Sequence, residues 1–259
     1  MTSIIQIILS LPIVMLALSV HETAHGLMAY KLGDDTAKNL GRLTLNPIKH
    51  FDLIGFLCML FLKFGWAKPV PIISRHFKKP RRDMALTAAA GPVSNILLAF
   101  IFGGLLRLEF IFVDKFVTQG DILSIFSALG MTSFSGTVPG VSYGCKIFAV
   151  LAFILYLGVI LNISLAIFNL IPIPPFDGSR IFYVFLPESL YFKVMKYEKY
   201  IMMAILILLF FTTFISNILG NATSGLAELV LRVFGFKRGD GSLYNQLLLM
   251  ISYISKALI

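Results

Sequence analysis

His21-Glu22-Thr23-Ala24-His25 sets two imidazoles four residues apart with a carboxylate beside the first. On a helix the two histidines share one face. That is the spacing by which neutral imidazoles grip a zinc ion while the glutamate serves as general base. The setting sharpens the signal. Residues 4–20 contain no charged side chain, and apolar sequence resumes after His25 with Gly26-Leu27-Met28-Ala29-Tyr30. An ionisable group near the centre of a membrane helix costs about 2.5–3.5 kcal/mol, so such groups are kept for function. Two plainer readings stand beside this one: the polar end of a spanning helix at headgroup level, or a signal peptide cut near Ala17-Leu18-Ser19. The second lacks a positive leader, since residues 1–3 carry no Lys or Arg.

The elements that must position these groups are membrane helices. With 58% hydrophobic and 14% charged residues, the 259-residue chain reads as an all-α polytopic membrane protein. Four apolar stretches are expected to span: 4–31, 84–106, 146–171 and 200–219. Between the first two, residues 53–62 are too short to cross and suit a re-entrant or interfacial segment. Alternation within 36–50 allows a short strand before Asn46-Pro47. The prolines of Trp66-Ala67-Lys68-Pro69-Val70-Pro71-Ile72 forbid a helix and allow an edge strand. Residues 1–219 form one core, and 220–259 a tail with apolar stretches at 226–236 and 247–259, the first amphipathic and the second shallowly inserted. Cys58 and Cys145 form no CxxC pair, which indicates neither disulfides nor thiolate metal sites. The net charge of +9 belongs to membrane-flanking loops and not to a nucleic-acid surface. No internal repeat, Gly-rich phosphate loop or separate soluble domain is present.

Charge asymmetry orients the chain. Loops 31–52, 63–83 and 172–200 hold four, seven and four Lys or Arg residues, whereas 109–144 holds one, Lys115. If 53–62 dips in and returns, the three basic loops share the cytoplasmic side. His21 and His25 then lie in the cytoplasmic half of the first helix, and the chain emerges after Pro172 on that same side. What emerges is Ile173-Pro174-Pro175-Phe176-Asp177-Gly178. Two histidines need a third protein ligand to hold catalytic zinc with an open position, and Asp177 is a carboxylate on the correct side. Taken alone, Asp177-Gly178 reads better as an ordinary Pro-rich turn and Asn169 as an interhelical hydrogen-bonding residue; beside HExxH both shift toward function. His50 and His76, each beside basic residues, are alternative metal candidates that read better as solvated interfacial histidines.

Several stretches together resemble the site-2 protease family of intramembrane zinc metalloproteases. They are His21–His25, Gly41-Arg42-Leu43-Thr44-Leu45-Asn46-Pro47, Ala67-Lys68-Pro69-Val70-Pro71, Ala90-Gly91-Pro92-Val93-Ser94-Asn95, and Asn169 through Gly178. The closest likeness is to the short bacterial and archaeal branch without PDZ or CBS domains. The resemblance implies one zinc ion on His21, His25 and Asp177, with Glu22 as the base. It also implies that Asn169 places the substrate or polarises its carbonyl, and that Asn95 shapes the substrate cleft. Two departures bear on gating: no spanning segment precedes the HExxH helix, and the tail after residue 220 carries none of the family's motifs.

The implied reaction is hydrolysis of a peptide bond in or near the membrane segment of a protein or peptide substrate. The chain would sit in the cell membrane in contact with lipid, its active site toward the cytoplasm. A membrane metal transporter or channel, or a catalytically silent scaffold, would use the same ligands. Intact Glu22 argues against the scaffold. No stretch of sequence specifies a cut site or an oligomeric state.

Overall fold

A backbone in lipid must satisfy its own polar groups, and a helix does so within one segment. Helices accordingly dominate the computed structural model, which describes residues 4–55, 67–113, 143–211 and 213–236. The first, α1 (Ile4–Lys31), carries the HExxH motif. It ends at Gly33, whose φ of +109° lets the Asp34 N–H reach the Ala29 carbonyl at 2.9 Å. A short helix α2 (Thr36–Asn39) follows and closes at Gly41, φ +62°. Next is α3 (Pro47–His50), where the Asn46 side chain accepts from the Ile48 N–H and Pro47 opens the first turn. The long helices are α4 (Pro80–Val113) and α5 (Tyr143–Asn169). Then come α6 (Asp177–Phe182), α7 (Glu188–Phe211) and α8 (Thr213–Val233).

Two sequence expectations about architecture are corrected. No strand occurs among the described residues. Residues 36–50 make α2 and α3, because the Asn46-Pro47 pair that resembles a strand stop is a helix start. Residues 67–73 are extended without a ladder. Pro69 and Pro71 have no N–H to give, and the N–H groups of Lys68, Val70 and Ile73 go to the His50 carbonyl, Glu22 and Asp34. Most of the expected re-entrant segment 53–62 lies outside the described residues.

The second correction is the number of spans. Three described helices, not four, are long and apolar enough to cross a membrane: Leu9–Lys31, Pro80–Ile111 and Val150–Asn169. The expected fourth span, 200–219, is shared between α7 and α8. Lys193, Lys196, Glu198 and Lys199 occupy the first half of α7, leaving too short an apolar remainder before that helix ends. On α4, Leu97, Ile101, Leu105 and Leu108 are exposed at helical spacing, as a lipid-facing stripe requires.

The chain divides into two compact units. One contains Val14–Leu97 and Ser164–Leu219, and with them every candidate site residue. In the other, α8 buries Ala227, Val230 and Leu231, and its end packs on α4 through Phe234 against Phe100 and Phe236 edge-on against Phe110. The tail stretch 226–236 is thus a packed helix end, and 247–259 lies outside the described residues.

Candidate metal centre

His21 and His25 sit one turn apart on α1, 4% and 7% exposed. A buried imidazole needs a partner for each ring nitrogen. His21 Nδ1–H donates to Asn95 Oδ1 at 2.6 Å, and the Asn95 amide nitrogen donates to the Ala17 carbonyl at 3.2 Å. His25 Nδ1–H donates to the Thr87 carbonyl at 2.7 Å. Both Nε2 atoms therefore present lone pairs, and they point into the same space, 3.0 Å apart. Asp177 Oδ2 closes the triangle at 3.1 Å from His21 Nε2 and 3.2 Å from His25 Nε2.

Asp177 reaches this point because α6 folds tightly onto the end of α5. A Cβ at Gly178 would run into the main chain of Leu170 and Ile171, so the approach requires glycine. Burial pushes the Asp177 carboxyl up, but hydrogen bonds and positive charge from the His21 and His25 rings, when those rings carry protons on Nε2, outweigh this and hold it down. It is ionised at neutral pH, the state a metal ligand needs.

Asp177 Oδ2 is buried and has no hydrogen-bond donor. Three electron-rich atoms this close repel one another unless protons or a cation lie between them. Three ligands at about 2.0–2.1 Å from a tetrahedral cation stand roughly 3.3–3.4 Å apart, close to the spacing found here. The donor set fits a divalent metal bound by three protein ligands, and among the described residues it forms the one such cluster.

The neighbouring residues divide by position. Glu22 Oε2 accepts the Val70 N–H at 2.8 Å. Glu22 shares with the three ligands the wall of a cavity of about 640 Å³, which Asn169 and Arg180 also line. Asn169 donates one amide hydrogen to the Leu165 carbonyl at 2.9 Å. Asn95, fully buried, stands behind His21 and holds its ring. His50 is not the solvated residue expected: it is 2% exposed, because the turn capped by Asn46 carries its ring inward onto the Thr44 carbonyl. His76 is exposed, as expected, and pairs with Asp34. Neither joins the cluster.

Sequence reasoning passed over three contributors. The Thr87 carbonyl and the Val70 N–H act through the main chain, which every residue type supplies. Gly91 belongs to a run that signals close packing, but its neighbours are the ligands: a Cβ there would lie 2.5 Å from His25 Nε2 and 2.6 Å from His21 Cε1. Gly91→Ala is therefore expected to push the imidazoles apart and weaken metal binding with the fold retained. Competition against a chelator would measure this, and wild-type affinity would refute it.

A profile of peptidase family M50 matches residues 9–212. YwhC of Bacillus subtilis, assigned by inference as a zinc metalloprotease, is 37% identical over 216 residues, covering 83% of this chain and 86% of YwhC. Rip2 of Mycolicibacterium smegmatis, assigned in the same way, is 29% identical over 98 residues, 36% of this chain and 38% of Rip2. No solved structure matches the chain.

Proposed function

The chain belongs to peptidase family M50 and is a metalloprotease, and from that premise we propose that it holds one zinc ion on His21, His25 and Asp177 and hydrolyses peptide bonds in or near the membrane segments of other proteins. The observation that carries this reading is the convergence of three buried ligand atoms beside a carboxylate on the same cavity wall. When bound, zinc supplies Lewis acidity: it polarises a carbonyl and brings the ionisation of water down to near neutral pH.

The remaining work falls to this chain's own residues. Glu22 takes the proton of the attacking water on Oε1, since Oε2 is occupied by the Val70 N–H, and delivers it to the leaving amine. Asn169 keeps one amide hydrogen on Leu165 and directs the other at the carbonyl oxygen as charge develops there. A helical substrate hides its carbonyls in its own hydrogen bonds, so it must unwind locally before it enters the cavity. The excess of Lys and Arg in loops 31–52, 63–83 and 172–200 supports a cytoplasmic orientation of the site in the cell membrane. The catalytic core is residues 1–219, and 220–259 is an appended tail.

Asn95 acts on the ligand His21 rather than on substrate. Asn95→Leu removes the acceptor that fixes the ring's tautomer, and should weaken zinc binding or activity by about 10–100-fold. A metal titration that leaves this variant at wild-type affinity would assign Asn95 elsewhere. The test of the function itself is cleavage of a purified single-span protein in detergent. Cleavage stopped by a chelator and restored by zinc is expected; cleavage indifferent to chelation would overturn the reading.

A further inference from the structure

We propose that Asp34 is a positioning residue for the Glu22 carboxylate, acting through the extended segment 67–73. This rests on the reading of Glu22 as general base. Asp34 is 0% exposed, and its carboxylate accepts four hydrogen bonds. On Oδ1 it receives the N–H and hydroxyl of Thr36 and Nδ1–H of His76. On Oδ2 it receives the Ile73 N–H at 2.7 Å. The Thr36 bonds serve the local turn after α1. The Ile73 bond spans 39 residues and fixes the far end of the segment that touches Glu22.

The near end is fixed separately. Arg42 donates to the carbonyls of Lys68 and Pro69 at 2.8 and 3.3 Å, and the Lys68 N–H donates to the His50 carbonyl at 2.9 Å. Between these anchors lies Pro69-Val70-Pro71. Both prolines have φ locked by the ring, so the span between the anchors is stiff. The Val70 side chain is buried, and its Cγ1 packs close to Gly26 on the inner face of α1. The Val70 N–H, the only donor in that tripeptide, reaches Glu22 Oε2. One carboxylate oxygen is thereby tied down and the other left for the water. Releasing Ile73 lets the segment move at one end, and a shift of about 1 Å in a reacting group costs on the order of 100-fold.

The experiment compares the detergent-purified, zinc-loaded wild type with Asp34→Ala and Ile73→Pro. The second variant removes the same hydrogen bond without emptying a buried carboxylate site, and so serves if Asp34→Ala fails to fold. Amide hydrogen exchange reads residues 68–73, metal analysis reads zinc, and kinetics separate kcat from KM. Exchange at Val70 should quicken in both variants and at Ile73 in Asp34→Ala, zinc should stay bound, and kcat should fall about 100-fold with KM unchanged. Loss of a merely structural bond would not produce that split. Faster exchange with wild-type kcat would overturn the proposal, as would unchanged exchange at Val70. An inactive wild type would remove the base reading itself, and with it the proposal; the exchange data distinguish that failure from failure of the anchor.

Discussion

Glu22→Gln is expected to keep zinc bound and to slow cleavage by roughly a hundred- to ten-thousand-fold, the usual range for loss of a general base. The amide has nearly the volume of the carboxylate, and its oxygen still accepts the Val70 N–H, so the cavity wall should be unchanged. What disappears is the basic lone pair that takes the proton of the attacking water. Glu22 is not one of the three clustered ligands, so metal content and activity should separate in this variant. Single-turnover cleavage alongside zinc analysis measures both. A variant with the wild-type rate would remove Glu22 from the mechanism.

Asp177→Ala should have the second large effect, and of a different kind. Without the carboxylate, two neutral imidazoles whose Nε2 atoms lie 3.0 Å apart are all that remains of the site. Two ligands do not complete the three-ligand set of a catalytic zinc site. Cleavage should fall to the uncatalysed background. In the wild type, free zinc at about 100 times its Kd should stabilise the fold by about 2.7 kcal/mol. In Asp177→Ala the same addition should leave the thermal midpoint where it was. A midpoint that still rises on adding zinc would mean that the metal binds without Asp177.

The parts of the site that the sequence discloses are those in which residue type itself is the signal. His21, Glu22, His25 and Asp177 are ionisable groups in or beside apolar segments, and their residue types and spacing mark them. Main-chain contributions carry no such mark. The Thr87 carbonyl and Val70 N–H could belong to any residue, and Gly91 is one small residue in a run of small residues. The extended segment 67–73 illustrates the same gap in the fold. Its prolines rule out a helix, but whether the remaining N–H groups find a neighbouring strand or side chains is decided by distant residues, here Glu22 and Asp34. Residues 200–219 were expected to span because their side chains are apolar on average. An average does not reveal that the helix begins earlier, at Glu188, and carries Lys193, Lys196 and Lys199 in its first half. The contact of Asn95 with His21 was not legible, because the partner of His21 Nδ1 comes from a helix 74 residues away.

Zinc content of the detergent-purified chain, measured beside His25→Ala and Asp177→Ala, tests the metal site most directly and needs no substrate. One zinc per wild-type chain, lost in both variants, is the expected result. A folded wild type without zinc, or zinc retained when Asp177 is gone, would contradict the three-ligand site.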